Sequence, residues 1–291
     1  MRDGPYPEGD AKVKWVTTEW LQDHLDDDDI MLLDTQPDVH DYILEHLPGS
    51  VYLNQRTLRA PLDGMPGIYV PGEVVSALFG RVGLRPDLTV VVYGGVGGHR
   101  GWGDGLGQTM MAYSLARFGH DNVMVLDGGI DKWRAEDRPL TKEFPRRGGT
   151  GFPVLVRNGY FIDMAAVRAN KDRDDVVLLD ARPPGTYQGQ GPWRKPGHIP
   201  GAVNLPWKDL MTEDNRTLLR PDDEIQALLE GSGVHPDRTI ICSCGTGREA
   251  TNEFILLKWY LGYEDVRLYE GSFLEWSAHP DNPTVTGPGP Y

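Results

Sequence analysis

Cysteine is nearly absent from this chain: its 291 residues hold two, Cys242 and Cys244, one residue apart. Neighbours that close build no disulfide framework, and so small a number fits a reducing compartment, which makes the cytoplasm the expected location. Long apolar runs are missing as well. No stretch approaches the roughly 18 residues of a membrane-spanning helix, and residues 1–15 lack the apolar core of a signal peptide. A leader cleaved ahead of this start is left open by that reading. Positive charge is in short supply, with 29 Lys and Arg against 43 Asp and Glu, a net charge of −14 and a pI near 4.9. That balance excludes nucleic acid and an anionic membrane as the main partner. The eight histidines are scattered without metal-ligand spacing, so neither a metal nor another cofactor is expected. The acidic run 26–29 reads as a solvated loop tip.

What the chain has is length and an internal repeat. At 291 residues, 39% of them hydrophobic, it exceeds the usual domain of about 100 to 200 and can bury two ordinary cores. Ile30-Met31-Leu32-Leu33-Asp34 answers to Val176-Val177-Leu178-Leu179-Asp180, each an apolar run typical of a buried parallel strand and ending in a carboxylate. His46-Leu47-Pro48-Gly49-Ser50-Val51 answers to His198-Ile199-Pro200-Gly201-Ala202-Val203, and Val90-Val91-Val92-Tyr93 to Thr239-Ile240-Ile241-Cys242. Gly119, Gly128-Gly129 and Trp133 answer to Gly262, Gly271-Ser272 and Trp276 at a constant offset of 143. Two α/β domains of one fold follow, with parallel strands joined by crossover helices. The expected layout is a domain over 1–145, a polar linker over 146–159 containing Arg146 and Arg147, and a second domain over 160–291.

The halves differ most at one loop. In the second half, Cys242-Ser243-Cys244-Gly245-Thr246-Gly247-Arg248-Glu249 joins an apolar strand to residues 250–261, whose apolar positions 250, 254, 256, 257 and 261 keep a helical period. A thiol on such a turn faces unpaired N–H groups and the positive end of the helix dipole, and Gly245 and Gly247 let successive N–H groups turn inward. That cysteine is expected to ionise below its free value of about 8.5. The matching loop of the first half, 94–107, carries eight glycines in fourteen residues, six extra residues by the pairing above, and no cysteine. Lacking the lysine of a P-loop and the G-x-G-x-x-G spacing, it reads as a degenerate, noncatalytic copy with His99 at its surface.

The strand ending in Asp, the His-x-Pro-Gly-(Ala/Ser)-Val turn, the cysteine loop with its helix and the closing Gly-Ser-Phe-Leu-Glu-Trp resemble tandem rhodanese sulfurtransferases over about residues 14–280. The resemblance implies an α/β fold of two rhodanese-like domains, each a central parallel sheet flanked by helices, the first inactive. It also implies transfer of a sulfane sulfur, from thiosulfate or 3-mercaptopyruvate to a thiol, cyanide or protein acceptor, through a cysteine persulfide. Cys244 opens a Cys-Gly-Thr-Gly loop similar to the Cys-Gly-Ser-Gly of mercaptopyruvate enzymes and is the implied carrier, its sulfur held by the amides of Gly245, Thr246, Gly247, Arg248 and Glu249. Cys242 is then a packed strand residue or a resolving thiol. Both donors are anions, which makes Arg248, Arg182 and Arg194 candidates for substrate contact. The plainer readings are that Arg248 pairs with Glu249 and that Arg182 braces Asp180. His46 and His198 occupy the same turn in both halves and read as structural, while Asp34 and Asp180 read as loop-holding carboxylates.

Departures from the family patterns leave the donor open. Gly245 stands where thiosulfate enzymes commonly place a basic residue, and Thr186 where some carry arginine. The loop fits mercaptopyruvate enzymes better, with Thr246 for their serine, yet Arg56 and Arg59 stand in the region where that serine's histidine and aspartate partners belong. Counted from Cys242, Cys-x-x-Gly-x-x-Arg is also the signature of cysteine phosphatases and arsenate reductases, in which the arginine, here Arg248, clamps an oxyanion; Ile241 replaces the histidine usual before their cysteine. A noncatalytic docking module is the third reading.

Overall fold

The computed structural model describes Tyr6 and residues 12–291, so the start of the 1–145 domain and most of the segment judged for a leader lie outside the described residues. By contacts the chain divides into two units. One runs to Arg157 and takes in Asp214–Leu219; the other holds Asn158–Glu213 and Arg220–Tyr291. Among the described residues no helix is long and apolar enough to cross a membrane.

The first unit contains β1 (Val13–Val16), α1 (Thr18–Asp23), β2 (Ile30–Asp34), α2 (Val39–Leu44), β3 (Val51–Tyr52), β4 (Arg59–Leu62), β5 (Met65–Tyr69), α3 (Gly72–Arg81), β6 (Thr89–Tyr93), α4 (Leu106–Arg117), β7 (Val123–Leu126) and α5 (Gly129–Ala135). Five strands form a parallel sheet in the order β1-β7-β6-β2-β3, and β4 pairs antiparallel with β5 outside it. The apolar runs explain the parallel arrangement: every residue of β2 and all but Thr89 of β6 are buried, as strands covered on both faces must be. Local polar groups start the helices. Thr17 accepts from Trp20 N at the head of α1, and Asp38 with Asp41 makes a reciprocal capping box on α2. The segment read as a linker is held through residue 157 by this unit: Thr150 N donates to Gly80 O at 2.9 Å, Leu155 N to Phe118 O at 3.0 Å, and Phe152 is buried.

The second unit repeats the plan with β8 (Phe161–Ile162), α6 (Met164–Asn170), β9 (Val176–Asp180), α7 (Pro184–Gln188), β10 (Val203–Asn204), α8 (Asp222–Gly231), β11 (Thr239–Ser243), α9 (Ala250–Ile255), β12 (Val266–Tyr269) and α10 (Ser272–Ala278). Its sheet is parallel in the order β10-β9-β11-β12-β8. The helix expected over 250–261 comes in two pieces, α9 and a π-helical stretch from Leu256 to Tyr260.

Strand register corrects one pairing of the repeat. Asp34 lies opposite Tyr93, and Asp180 lies opposite Ser243. Tyr93 therefore answers to Ser243, not to Cys242, and Cys244 answers to Gly94. The bonds confirm it: Thr35 N donates to Tyr93 O as Ala181 N does to Ser243 O, and Ile130 N donates to Gly94 O as Phe273 N does to Cys244 O. Since 26 positions separate Tyr93 from Gly119 and 19 separate Ser243 from Gly262, the first-half loop has seven extra residues, not six. A slip of one residue exchanges the faces of a strand, so the distinction matters: Cys242 corresponds to the core residue Val92.

Candidate active site

The chain leaves the sheet at Cys244, just after Ser243 pairs with Asp180. The first turn of α10 fixes the loop, with Phe273 N donating to Cys244 O at 3.0 Å and Leu274 N to Gly245 O at 2.9 Å. Cys244 N donates to Ser272 Oγ at 3.1 Å; that hydroxyl donates to Tyr269 O at 2.8 Å and lies 3.9 Å from Cys244 Sγ. The sulfur faces the backbone amides of Thr246 and Ala250. Glu249 folds back over the loop, its Oε2 accepting from Gly245 N at 3.4 Å and its carboxylate within hydrogen-bonding reach of the Cys244 thiol.

Burial overturns the expected acidity of this thiol. Cys244 is fully buried, and desolvation pushes its pKa up to about 12, with the Glu249 carboxylate adding repulsion. The amides of Thr246 and Ala250 favour the thiolate but do not offset the loss of water. Glu249 is raised in turn by burial, the Gly245 amide working against the rise. Cys242 is fully buried inside the β11 ladder, opposite Leu179 and Leu268, and burial raises it well above its ordinary range. Both cysteines are free thiols.

The two glycines of the loop have separate reasons. Gly247 has φ +76, and a side-chain carbon there would stand 2.4 Å from Glu270 O. A side-chain carbon at Gly245 would meet the Trp193 ring at 2.6 Å, so the basic residue found after the cysteine in thiosulfate enzymes has no room while Trp193 keeps its place. Arg248 is half-buried, and its carbonyl caps the helix by accepting from Thr251 N and Oγ1. Arg194 is exposed on the segment beside Trp193. Arg182 is 1% exposed and braces the site from below: its Nε and Nη2 bond both Asp180 oxygens, Nη2 also reaches Gly197 O at 3.0 Å, and the guanidinium lies 4.1 Å from the Phe273 ring centre. In the first unit a neutral side chain makes the same bridge, Gln36 Nε2 donating to Asp34 and to Glu45 O. His46 and His198 stack on Tyr42 and Tyr187 and bond the neighbouring carbonyls Tyr42 O and Tyr187 O through Nδ1, the same structural task in both halves.

The first-half loop closes on carboxylates, two from α2 and α5 and one of its own. Val96 N donates to Asp131 Oδ2 at 2.8 Å, His99 N to Asp41 Oδ1 at 2.7 Å, and Leu106 N to Asp104 Oδ1 at 3.1 Å. Donors that hold those carboxylates are not turned to a bound anion.

Three contributors, Ser272, Trp193 and Glu253, lie outside the site residues that the sequence singles out, and Glu249 acts through its side chain beyond the amide expected of it. Ser272 stands where Gly129 stands in the first half, and both adopt left-handed backbone, φ +50 and +54. A serine replacing glycine at a repeated left-handed position was the signal. Trp193 covers Gly245, while the charge argument from sequence points only to its neighbour Arg194. Glu253 belongs to no motif of the sequence. Glu253 is fully buried, and neither of its carboxyl oxygens has a hydrogen-bond partner. Among the described residues no group of three or more His, Cys, Asp or Glu has the arrangement to hold a metal ion.

Comparison with known proteins agrees with this architecture. The family model described as Rhodanese-like domain matches residues 17–136 and again 163–279, and the chain belongs to that family. It is 36% identical over 286 residues to a putative thiosulfate sulfurtransferase of Synechococcus elongatus, covering 96% of this chain and 87% of the relative. A thiosulfate sulfurtransferase of Azotobacter vinelandii is 32% identical, with 90% and 93% covered, and the 3-mercaptopyruvate sulfurtransferase of Escherichia coli 29% identical, with 92% and 96% covered. The enzyme class these names share, sulfurtransferase, is the class of this chain. Among solved structures, the anaerobic ergothioneine biosynthesis enzyme of Chlorobium limicola superposes with a TM-score of 0.80 over 94% of this chain and 70% of its own, at 22% identity, and shows the fold alone.

Proposed function

We propose that the enzyme takes a sulfane sulfur from thiosulfate or 3-mercaptopyruvate onto Cys244 and passes it, as a persulfide, to a thiol, cyanide or protein acceptor. The observation that carries this reading is the position of Cys244 Sγ, at the first residue beyond β11 and facing the amides of Thr246 and Ala250. A persulfide is a better match for those donors than the resting thiol, because its outer sulfur ionises more readily and extends toward them. Thiolate attack on the outer sulfur of the donor releases sulfite or pyruvate; attack by the acceptor restores Cys244. Arg248 and the exposed Arg194 supply positive charge for an anionic donor, and Arg182 holds Asp180 and the turn at Gly197 in place. The room that Gly245 leaves for Trp193 favours the mercaptopyruvate type of loop. Two free thiols fit the cytoplasm as the working compartment. Cys242 is read as a packing residue, since it lies within the ladder, two residues before the turn where an oxyanion-clamping cysteine must sit.

Intact-mass measurement after incubation with each donor tests this. Wild type should gain one sulfur atom, Cys242→Ser should gain it too, and Cys244→Ala should not. A gain that survives Cys244→Ala would falsify the assignment, and the faster donor ranks the substrates.

A further inference from the structure

A thiol raised by burial to about 12 is a poor nucleophile near neutral pH, since the thiolate is the attacking form. The site therefore needs a group that removes the proton when the donor is bound. Glu249 is at hand, with Oε2 3.4 Å from Gly245 N and the thiol in hydrogen-bonding reach. One helical turn further on, Glu253 is fully buried with both oxygens unpartnered. The two carboxyls repel, and the one with less water and fewer donors is the last to ionise. Glu253, the one without donors, keeps its proton, and Glu249, which has the Gly245 amide and Arg248 beside it, carries the charge. The other ionisable groups that face the pair are Asp180 at the end of β9, tied to Arg182, and the Cys242 thiol beside Glu253.

Resting on the persulfide reading above, we propose that the Glu249 carboxylate is the catalytic base that takes the Cys244 proton as the donor binds. The proton moves from Sγ to a Glu249 oxygen, and the freed electron pair forms a bond to the outer sulfur of the donor. That sulfur's bond to the rest of the donor breaks, and its electron pair leaves on sulfite or on the methylene carbon of the pyruvate enolate. In the second case Glu249 returns the proton to that carbon, giving pyruvate; in the first the proton passes to sulfite or water.

The test is the rate of sulfur gain at Cys244 in a single turnover, read by quenched intact mass in the full chain, with thiosulfate and 3-mercaptopyruvate in separate arms, between about pH 5 and 10. Wild type should speed up as pH rises through the ionisation of Glu249 and then level off. Glu249→Gln should be about 100-fold slower near neutrality, the usual worth of a general base, and should recover about tenfold per pH unit as the thiol ionises unaided. Glu249→Asp, charged but one methylene shorter, should fall between them and keep the wild-type limb. This second variant serves if the glutamine form does not fold. A Glu249→Gln enzyme as fast as wild type, or faster because a repelling charge is gone, overturns the proposal, as does a Glu249→Asp enzyme at the full wild-type rate. Wild type that gains no sulfur removes the persulfide reading itself, so the two failures are told apart.

Discussion

Ser272 holds a backbone angle of φ +50 that a residue with a Cβ avoids at about 1 kcal/mol, at the position where the first half uses Gly129. What the serine adds is a hydroxyl that accepts Cys244 N at 3.1 Å and stands 3.9 Å from the sulfur. Strain and bond can be separated. Ser272→Ala keeps the strained angle and loses the bond; Ser272→Gly loses both. The alanine form should therefore be the less stable by about 1 kcal/mol in chemical denaturation, with both forms about tenfold slower in taking up sulfur. Equal stabilities would show that the left-handed angle is not under strain. Gly247 has no such alternative. With φ +76 and Glu270 O 2.4 Å from any added carbon, Gly247→Ala should cost about 2 kcal/mol or more and reduce sulfur uptake at least about tenfold, because the loop must open to admit the methyl group. Thermal denaturation and the mass assay read the two effects.

At the scale of the element, the loops after β6 and β11 leave matching strands at matching residues and do opposite things with their amides. The strands themselves were legible: Ile30–Asp34 and Val176–Asp180 are near-continuous apolar runs ending in a carboxylate, and the paired histidine turns mark the next crossover. Register was not legible to the residue, because the apolar ends of the two strands set Tyr93 against Cys242, and only the pairing to Asp34 and Asp180 moves it to Ser243. Nor was the filling of the first loop, since Asp41 and Asp131 lie far from it in the chain and reach it only when α2 and α5 pack. The same reason hid the weak acidity of Cys244. A motif displays the amides around a thiol but not the depth at which fold and neighbours bury it. These loops give a prediction. Placing a cysteine at Gly94 is tight but feasible: the new Cβ stands 3.3 Å from Thr35 Oγ1, a side-chain atom that must give by a few tenths of an ångström. Its sulfur would still meet a loop whose donors hold Asp41 and Asp131. Gly94→Cys combined with Cys244→Ala should fold and take no sulfur from either donor; one sulfur gained at residue 94 would show that the missing cysteine alone silences the first half.

For the whole molecule the buried carboxyls set the pH of greatest stability. Asp34 is fully buried beside Tyr93, and desolvation raises its pKa from 3.8 to about 6; burial also raises Glu249 and Glu253. An acid whose folded pKa exceeds its unfolded value stabilises the fold fully below the unfolded pKa and loses that contribution as pH rises through the folded one. For Asp34 the window is about pH 4 to 6 and the upper figure about 3 kcal/mol. Carboxylates held below their ordinary range act the other way. Glu136, bonded by Lys132, Thr18 and Arg138, is lowered to about 2, and Asp121 is lowered beside Lys12 and Arg157, so their contributions vanish in acid. A net charge of −14 adds repulsion that grows as the last acids ionise. The melting temperature should therefore peak on the mildly acidic side, near pH 5, and decline toward pH 8. Asp34→Asn mimics the protonated carboxyl and removes one titration, so the decline between about pH 5 and 7 should be shallower in the variant than in wild type. Parallel scanning-calorimetry series decide it: equal slopes would mean that Asp34 keeps an ordinary pKa in the fold, with the hydrogen bonds from Tyr93 and Gln36 outweighing its burial.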